Sequence, residues 1–475
     1  MPDSHFASAT ALLGLLRTGQ LSSRALLEQC LAREVLTRES VNAVVMCDVD
    51  GARAAADRAD ALRGRGEPLP PLHGLPMTLK DSFEVAGMRT TSGAAAYAEH
   101  TPDVDAVVAA RLRAAGAIIF GKTNESTLCA DVQCFNALFG TTSNPYDLTR
   151  TAGGSSGGAA AALAVGITPL EVGGDLAGSI RTPAGFCGVY GHKASYGLIP
   201  QRGMIPGPPG QRFEADLVAL GPMARTAEDL ALLLPLLAGP VAPWSAAYHL
   251  RLPAPRHREL RHFRVATWFH DDAAPIQSGV LTRLEATAEA LRRAGAHVAE
   301  ARLPCDMERV LALYRPLLDS VATLGVPAAS LEAMARKDGP VRTWAEHALM
   351  RHRDYLALHE ARLALAETMQ AFFAEWDVIL CPITPVSAFP HDQRPRLAER
   401  ALDVDGVKRP YTDLFRWIAL ATTLGLPATA APIGRDAQGL PVGLQIIGPA
   451  YEDLTPITFA AELARLVGGF EPPVL

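Results

Sequence analysis

An excess of positive charge is what this 475-residue chain most plainly lacks: 44 lysines and arginines stand against 50 aspartates and glutamates, a net charge of −6. Without a basic footprint, nucleic acid and anionic membrane surfaces are not expected as partners, and small molecules become the default. Cysteine is sparse and scattered, at positions 30, 47, 129, 134, 187, 305 and 381, an odd set with no C-x-x-C pair. A disulfide or zinc framework is therefore not expected. Long apolar runs are missing too: the uncharged stretch 417–434 is rich in Thr and Ala and holds two prolines, which suits packed core better than a membrane span. The N-terminus has no basic segment, and Arg17 breaks the apolar run that follows, so no secretory signal is read and a cytoplasmic location is expected. Lysine is the scarcest basic residue, present only at 80, 122, 193, 337 and 408, while every other fixed cation is arginine. Each lysine within an apolar segment thus invites a chemical explanation.

What is present is an ordinary folded composition, 49% apolar and 20% charged, which leaves no reason to expect disorder. Amphipathic helices are read at Ala9 to Gly19, Ser22 to Leu36 and Ala52 to Leu62, an N-terminal helical cover over residues 1–65. From Leu72 the pattern changes. An apolar run, Leu75 to Leu79, a helix, Val104 to Ala115, and a second run, Ala117 to Phe120, follow the βαβ order of an α/β sheet. A Gly/Ser turn, Gly153 to Gly158, opens the alanine-rich helix Ala159 to Val165, and a strand, Thr168 to Val172, runs into another glycine cluster. Further on come a helix at Ala227 to Leu237, a Pro-rich linker at Gly239 to Pro255, a strand at Phe263 to Trp268 and a helix with apolar residues at 280, 281, 284, 288 and 291. Segment 343–376 reads as one or two long helices, and the chain closes with a strand, Leu440 to Ile447, and a helix, Thr455 to Leu466. Loops at strand ends are where sites of α/β proteins sit.

Three of those loops carry candidate chemistry. Lys80 ends an apolar strand, where desolvation is expected to lower its pKa so that it can accept a proton, a role closed to arginine. The competing reading is a structural ion pair with Asp81 or another carboxylate. Gly153-Gly154-Ser155-Ser156-Gly157-Gly158 sets two hydroxyls ahead of a helix. A phosphate-binding P-loop would need a lysine that is absent, and the G-x-S-x-G pattern of a nucleophile elbow would need an apolar strand where Tyr146 to Ala152 stands. A purely structural turn stays open. The third loop, Gly173 to Ala184, places small residues before Ser179, so that backbone N–H groups can converge beside its hydroxyl as an oxyanion hole. No H-E-x-x-H occurs, and His347, His352 and His359 are not spaced to share a helical face, so no metal and no cofactor are expected.

Lys80 in Gly-Leu-Pro-x-x-x-Lys-Asp, Ser155 in Gly-Gly-Ser-Ser-Gly-Gly and Ser179 in Gly-Ser-Ile-Arg together resemble the amidase signature family. Their order and spacing are also similar, and supporting stretches run along the whole chain: Gly121-Lys122-Thr123-Asn124, Ser143-Asn144-Pro145, Phe186-Cys187-Gly188, 221–226 and 439–445. The resemblance implies an α/β fold with a large mixed β-sheet covered by helices on both faces, in a single domain over 1–475. Within it, 72–225 would be the signature core, 240–430 a variable region lining the substrate cleft, and 431–475 a return to the core. It implies that Ser179 is the nucleophile, Ser155 the proton relay and Lys80 the general base, with the backbone of Leu176, Ala177, Gly178 and Ser179 as oxyanion hole. Ser156, Asp175 and Arg181 would support the turn. Leu176 and Ala177 depart from the Thr and Gly that many members carry, and Ala194 from a proline. If position 177 requires a positive φ, alanine there would cost about 1 kcal/mol.

The implied activity is hydrolysis of a carbon–nitrogen acyl bond in a small amide, anilide, carbamate or ester through an acyl-enzyme, with no nucleic-acid or membrane partner and a homodimer left open. Two alternatives stand beside it. One is the A subunit of a tRNA-dependent amidotransferase, although Gly191 to Tyr196 and the Pro-rich Ile205 to Gly210 look more like stand-alone amidases. The other is a non-catalytic protein whose glycine loops hold an acyl or anionic ligand.

Overall fold

The computed structural model describes residues 4–205 and 209–474, so residues 206–208 of the proline-rich stretch lie outside the described residues. Lys80 sits where two β-sheets meet. The smaller sheet has β1 (Val44–Cys47), β2 (Pro76–Lys80) and β3 (Ile118–Thr123) in the order β1-β3-β2. Strands β2 and β3 are parallel, joined through the helix Val107–Ala114, and every residue of both is buried. A continuous apolar run is what a strand covered on both faces requires. Register places Lys80 opposite Thr123, so both strands deliver the residues that follow them to one edge.

The larger sheet contains β4 (Leu170–Asp175), β5 (Tyr190–Lys193), β6 (Ala219–Ala224), β7 (Arg264–Thr267), β8 (His297–Glu300), β9 (Val378–Pro382), β10 (Ala428–Arg435) and β11 (Pro441–Ile447). Its order is β8-β7-β9-β11-β10-β5-β6-β4. Strand β7 runs parallel to β8 and β9 and the other pairings are antiparallel, so the sheet is mixed. Side chains join the two sheets: the Thr78 backbone N–H donates to Thr168 Oγ1 at 3.1 Å, and its hydroxyl donates to Glu171 Oε1 at 2.6 Å. Burial pushes the Glu171 carboxyl up to about 7.

The helical cover is locked on by capping. Asp229, fully buried in the helix Ala227–Leu237, accepts hydrogen bonds from the backbone N–H groups of Ala9 and Thr10, the first turn of the helix Ala9–Thr18. A carboxylate at a helix N-terminus satisfies donors that have no partner within the helix. Around the glycine turns, the helix Gly157–Ala164 is buried on all sides, which its alanines permit by keeping the cylinder thin. Segment 417–434 is core, as its composition suggested: Trp417 to Leu420 are fully buried, and β10 follows. Among the described residues no helix is long and apolar enough to cross a membrane.

The structure also refines three sequence readings. Segment 343–376 divides into two helices, Pro340–Ala348 and His352–Glu375. A strand, Asp147–Thr151, does precede the Gly/Ser turn, but it is a polar arm paired with Ser143–Asn144 and bridged at Arg150 to Pro390, and not a strand of either main sheet. Segment 240–430, expected to line a cleft, also supplies β7, β8 and β9 to the large sheet.

Candidate active site

The edge shared by β2 and β3 faces the turn that precedes the helix Gly157–Ala164. There Lys80 Nζ donates to Ser155 Oγ at 2.6 Å, with both residues fully buried. The Gly154–Ser155 peptide bond is cis. The turn's glycine positions have no room for side chains: a Cβ on Gly154 would come within 2.8 Å of the Asp131 carbonyl oxygen, and one on Gly158 within 2.4 Å of the Asn124 nitrogen. Ser156 ties this turn to the next one: its N–H donates to the Ser179 carbonyl at 3.1 Å. Ser156 thus supports the site through its backbone, while its own hydroxyl is buried with no hydrogen-bond partner. The structure therefore gathers Lys80, Ser155 and Ser179 into one locale, with Ser179 the outermost at 8% exposure.

Ser179 follows β4 on a turn organised by Asp175. That carboxylate accepts from the N–H groups of Gly178 (2.9 Å) and Ile180 (3.1 Å), the residues on either side of Ser179. It also holds Arg181, whose Nη2 and Nε donate to it at 2.7 and 3.0 Å. Arg181 is fully buried and reaches on to Gln445 Oε1, Thr422 Oγ1 and the Ile418 carbonyl, which makes it a fixed strut between the turn and the large sheet. Burial works against the Asp175 carboxylate, but the neighbouring Arg181 outweighs it and holds the group down at about 2. The oxyanion-hole expectation needs one correction. Gly178 cannot offer its N–H to a substrate, because Asp175 already occupies that donor. Leu176, Ala177 and Ser179 remain as candidates. The strain anticipated at Ala177 does not arise, since the positive φ of the turn, 91°, falls on Gly178 and not on Ala177.

The electrostatics of Lys80 also differ from expectation. Burial does disfavour its ammonium, yet the acidic groups beside it, Cys129 and Glu125, outweigh that penalty, so its pKa moves up and not down. The ion pair offered as the competing reading exists, but its carboxylate is Glu125 Oε2, 3.3 Å from Nζ, and it coexists with the Ser155 contact. Asp81 is engaged by other partners: it accepts from Thr91 and lies 3.5 Å from Lys122 Nζ. The other buried lysines are bonded to backbone carbonyls, Lys122 to that of Phe83 and Lys193 to that of Leu426. Glu125 escaped the sequence reading although it directly follows Gly121-Lys122-Thr123-Asn124. The available signal was topological: parallel β2 and β3 end at one edge, so a carboxylate just past Thr123 arrives beside Lys80. Cys129 completes the group, donating its thiol to Glu125 Oε2 at 2.9 Å.

All seven cysteines are free, and among the described residues no group of three His, Cys, Asp or Glu side chains could hold a metal ion. His347 pairs with Asp319.

Known proteins resemble this chain along nearly its whole length. The family model described as Amidase matches residues 25–455. The A subunit of the glutamyl-tRNA(Gln) amidotransferase of Roseiflexus castenholzii is 34% identical, over 92% of this chain and 91% of its own length. The AtzE subunit of the 1-carboxybiuret hydrolase of Pseudomonas sp. strain ADP is 31% identical over 92% and 93%. Among solved structures, a bacterial aryl acylamidase of the amidase signature enzymes superposes with a TM-score of 0.82 at 25% identity, covering 98% of this chain and 97% of its own. A 6-aminohexanoate cyclic dimer hydrolase gives 0.81 at 25% identity over 99% of both chains. With a buried lysine and two serines on glycine turns beside a mixed sheet, this chain belongs to the amidase signature family of hydrolases.

Proposed function

We propose that the protein hydrolyses a carbon–nitrogen acyl bond, with Ser179 as nucleophile, Ser155 as proton relay and Lys80 as general base. The observation that carries this reading is the 2.6 Å contact between Lys80 Nζ and Ser155 Oγ in a fully buried setting, on a turn bonded to that of Ser179. A seryl hydroxyl is a weak nucleophile unless its proton is removed as it attacks. In the proposed sequence Ser179 Oγ attacks the acyl carbon while its proton passes through Ser155 Oγ to Lys80 Nζ. The oxyanion is met by N–H groups among Leu176, Ala177 and Ser179. The relay then runs backwards, protonating the leaving nitrogen, and water repeats the cycle on the ester that remains.

The substrate we assign is a neutral amide, anilide, carbamate or ester with an apolar acyl side. Buried charges around the turns are already paired: Arg181 with Asp175, and Arg400 with Asp131, whose backbone oxygen packs against Gly154. That pairing favours an uncharged ligand. A panel of primary amides, anilides, carbamates and esters, run with Ser179→Ala as control, tests the assignment. Turnover of a panel member that the variant abolishes is the expected result. Wild-type turnover surviving in Ser179→Ala would refute it.

A second reading has its own support, since relatives at 34% and 33% identity are named as the A subunits of glutamyl-tRNA(Gln) amidotransferases. Both readings share cleavage of an amide, and they differ in substrate and partners. Glutamine hydrolysis that appears only with added partner subunits, and no turnover of the panel, would favour the amidotransferase.

A further inference from the structure

The proposed mechanism needs Lys80 with a free lone pair, and the structure puts a carboxyl group in contact with it. Glu125 lies one hydrogen-bond length from Nζ, at 3.3 Å, and both side chains are fully buried. Its carbonyl-side neighbourhood is poor in donors. Oε2 receives the Cys129 thiol, a weak donor, at 2.9 Å, while Oε1 is buried without a hydrogen-bond partner. A carboxylate with one bare oxygen in such a place is costly, whereas a carboxylic acid beside an amine separates no charge.

We infer that Glu125 controls the protonation state of Lys80: the resting pair keeps the proton on Nζ, which donates to Ser155, and in the reacting form Oε2 takes that proton, leaving the nitrogen lone pair facing Ser155. The step balances within the pair. An Nζ–H bond breaks, an Oε2–H bond forms, and the pair is neutral overall before and after. This rests on the triad reading above, and it makes Glu125 a positioning residue acting through Lys80. Burial, against the pull of Lys80, raises the Glu125 carboxyl, which favours the acid form. Cys129 cannot take the same role near neutrality, because burial pushes its thiol up to about 12 and it keeps its proton. It is held beside Glu125 by two consecutive left-handed residues, Leu128 and Cys129, with φ of 52° and 58°. The remaining groups that face the pair are Ser155 and Cys134 on the Lys80 side and Asp81, Ser92 and Lys122 on the Glu125 side.

The direction of a pH shift decides the matter. If Glu125 stores the lysine proton, the acid limb of kcat/KM marks the pair gaining a second proton, an event set by the carboxyl. In Glu125→Gln, Lys80 must instead lose its proton to solvent, so the limb moves to higher pH. If Glu125 were only an anion stabilising the Lys80 ammonium, its removal would ease deprotonation and the limb would move to lower pH. The experiment measures kcat and KM against pH for wild type, Glu125→Gln and Glu125→Asp, with Lys80→Ala and Ser179→Ala as controls. We expect Glu125→Gln to move the limb up by about one pH unit or more and to lower kcat about 10-fold or more, with KM little changed. A limb that moves down, or stays in place with kcat intact, overturns the proposal. Should Glu125→Gln not fold, Glu125→Asp carries the test: the limb stays near wild type while kcat falls, because the acceptor is one methylene farther away. Wild-type kcat in Glu125→Asp overturns the proposal. Activity retained by Lys80→Ala or Ser179→Ala overturns the triad reading itself, an outcome separate from any shift at Glu125.

Discussion

Replacing Asp175 by asparagine removes the one negative charge that organises the Ser179 turn. The carboxylate accepts from the N–H groups of Gly178, Ile180 and Arg181 and from Nε and Nη2 of Arg181. An amide side chain must turn its NH₂ toward at least one of these donors, and it leaves the fully buried Arg181 guanidinium without a counter-charge. Breaking a buried pair from one side costs about 3–5 kcal/mol. Unfolding entropy near 2.1 cal/mol/K per residue gives roughly 1 kcal/mol per degree for a chain of this length, so Tm should fall by about 3–5 °C. The effect depends on pH with a definite sign. Held at about 2 against an ordinary 3.8, the Asp175 carboxylate contributes about 2 kcal/mol that is fully present above its unfolded-state pKa and is lost as pH falls through about 2. The difference in Tm between wild type and variant should therefore be largest near neutrality and shrink toward pH 2. Because the two residues flanking Ser179 lose their anchor, kcat on any amide substrate should fall by about 10²-fold or more. Scanning calorimetry across pH, paired with steady-state kinetics, measures both. A Tm change under about 1 °C together with near-normal kcat would show that Asp175 does not hold the turn.

Other outcomes follow from the same geometry. A fluorophosphonate probe should label Ser179 and not the fully buried Ser155; peptide mapping that finds the label on Ser155 would reverse the nucleophile and relay assignments. Lys80→Arg should be as inactive as Lys80→Ala, about 10²- to 10⁴-fold below wild type or lower, because arginine keeps its proton at any workable pH. A folded Lys80→Arg, verified by circular dichroism, that retains more than about a tenth of the wild-type rate would show that the lysine is not a base. Gly178→Ala should lose about 1 kcal/mol or more of stability and much of the activity, since φ is 91° and the new Cβ would lie 2.9 Å from Thr182 Oγ1. Unchanged melting and kinetics would mean that the turn relaxes freely.

Local patterns in the chain were enough for much of the architecture. Apolar residues at helical spacing marked Ala227–Leu237 and most of Ser278–Arg293, and short apolar runs marked β2, β3 and β11. Elements with weak local signals stayed hidden. β1 is only four residues long, too few for alternation to stand out, and the helix Met307–Ala322 carries Pro316 in its interior, a residue that argues against a helix. The order of the large sheet, in which β11 lies between β9 and β10, depends on which buried faces complement one another across hundreds of residues.

At the candidate site the division is sharper. The chain by itself determined that a lysine ends an apolar strand and that two serines sit on glycine-rich turns, one of them ahead of a helix, because strand burial and turn chemistry are written in neighbouring residues. Only the tertiary structure decided that Lys80 touches Ser155, that Asp175 consumes the Gly178 N–H, and that Glu125 and Cys129 stand beside the lysine and turn its pKa upward. Those outcomes depend on distances between segments remote in sequence, and on the burial that magnifies every charge among them. No local pattern encodes either quantity.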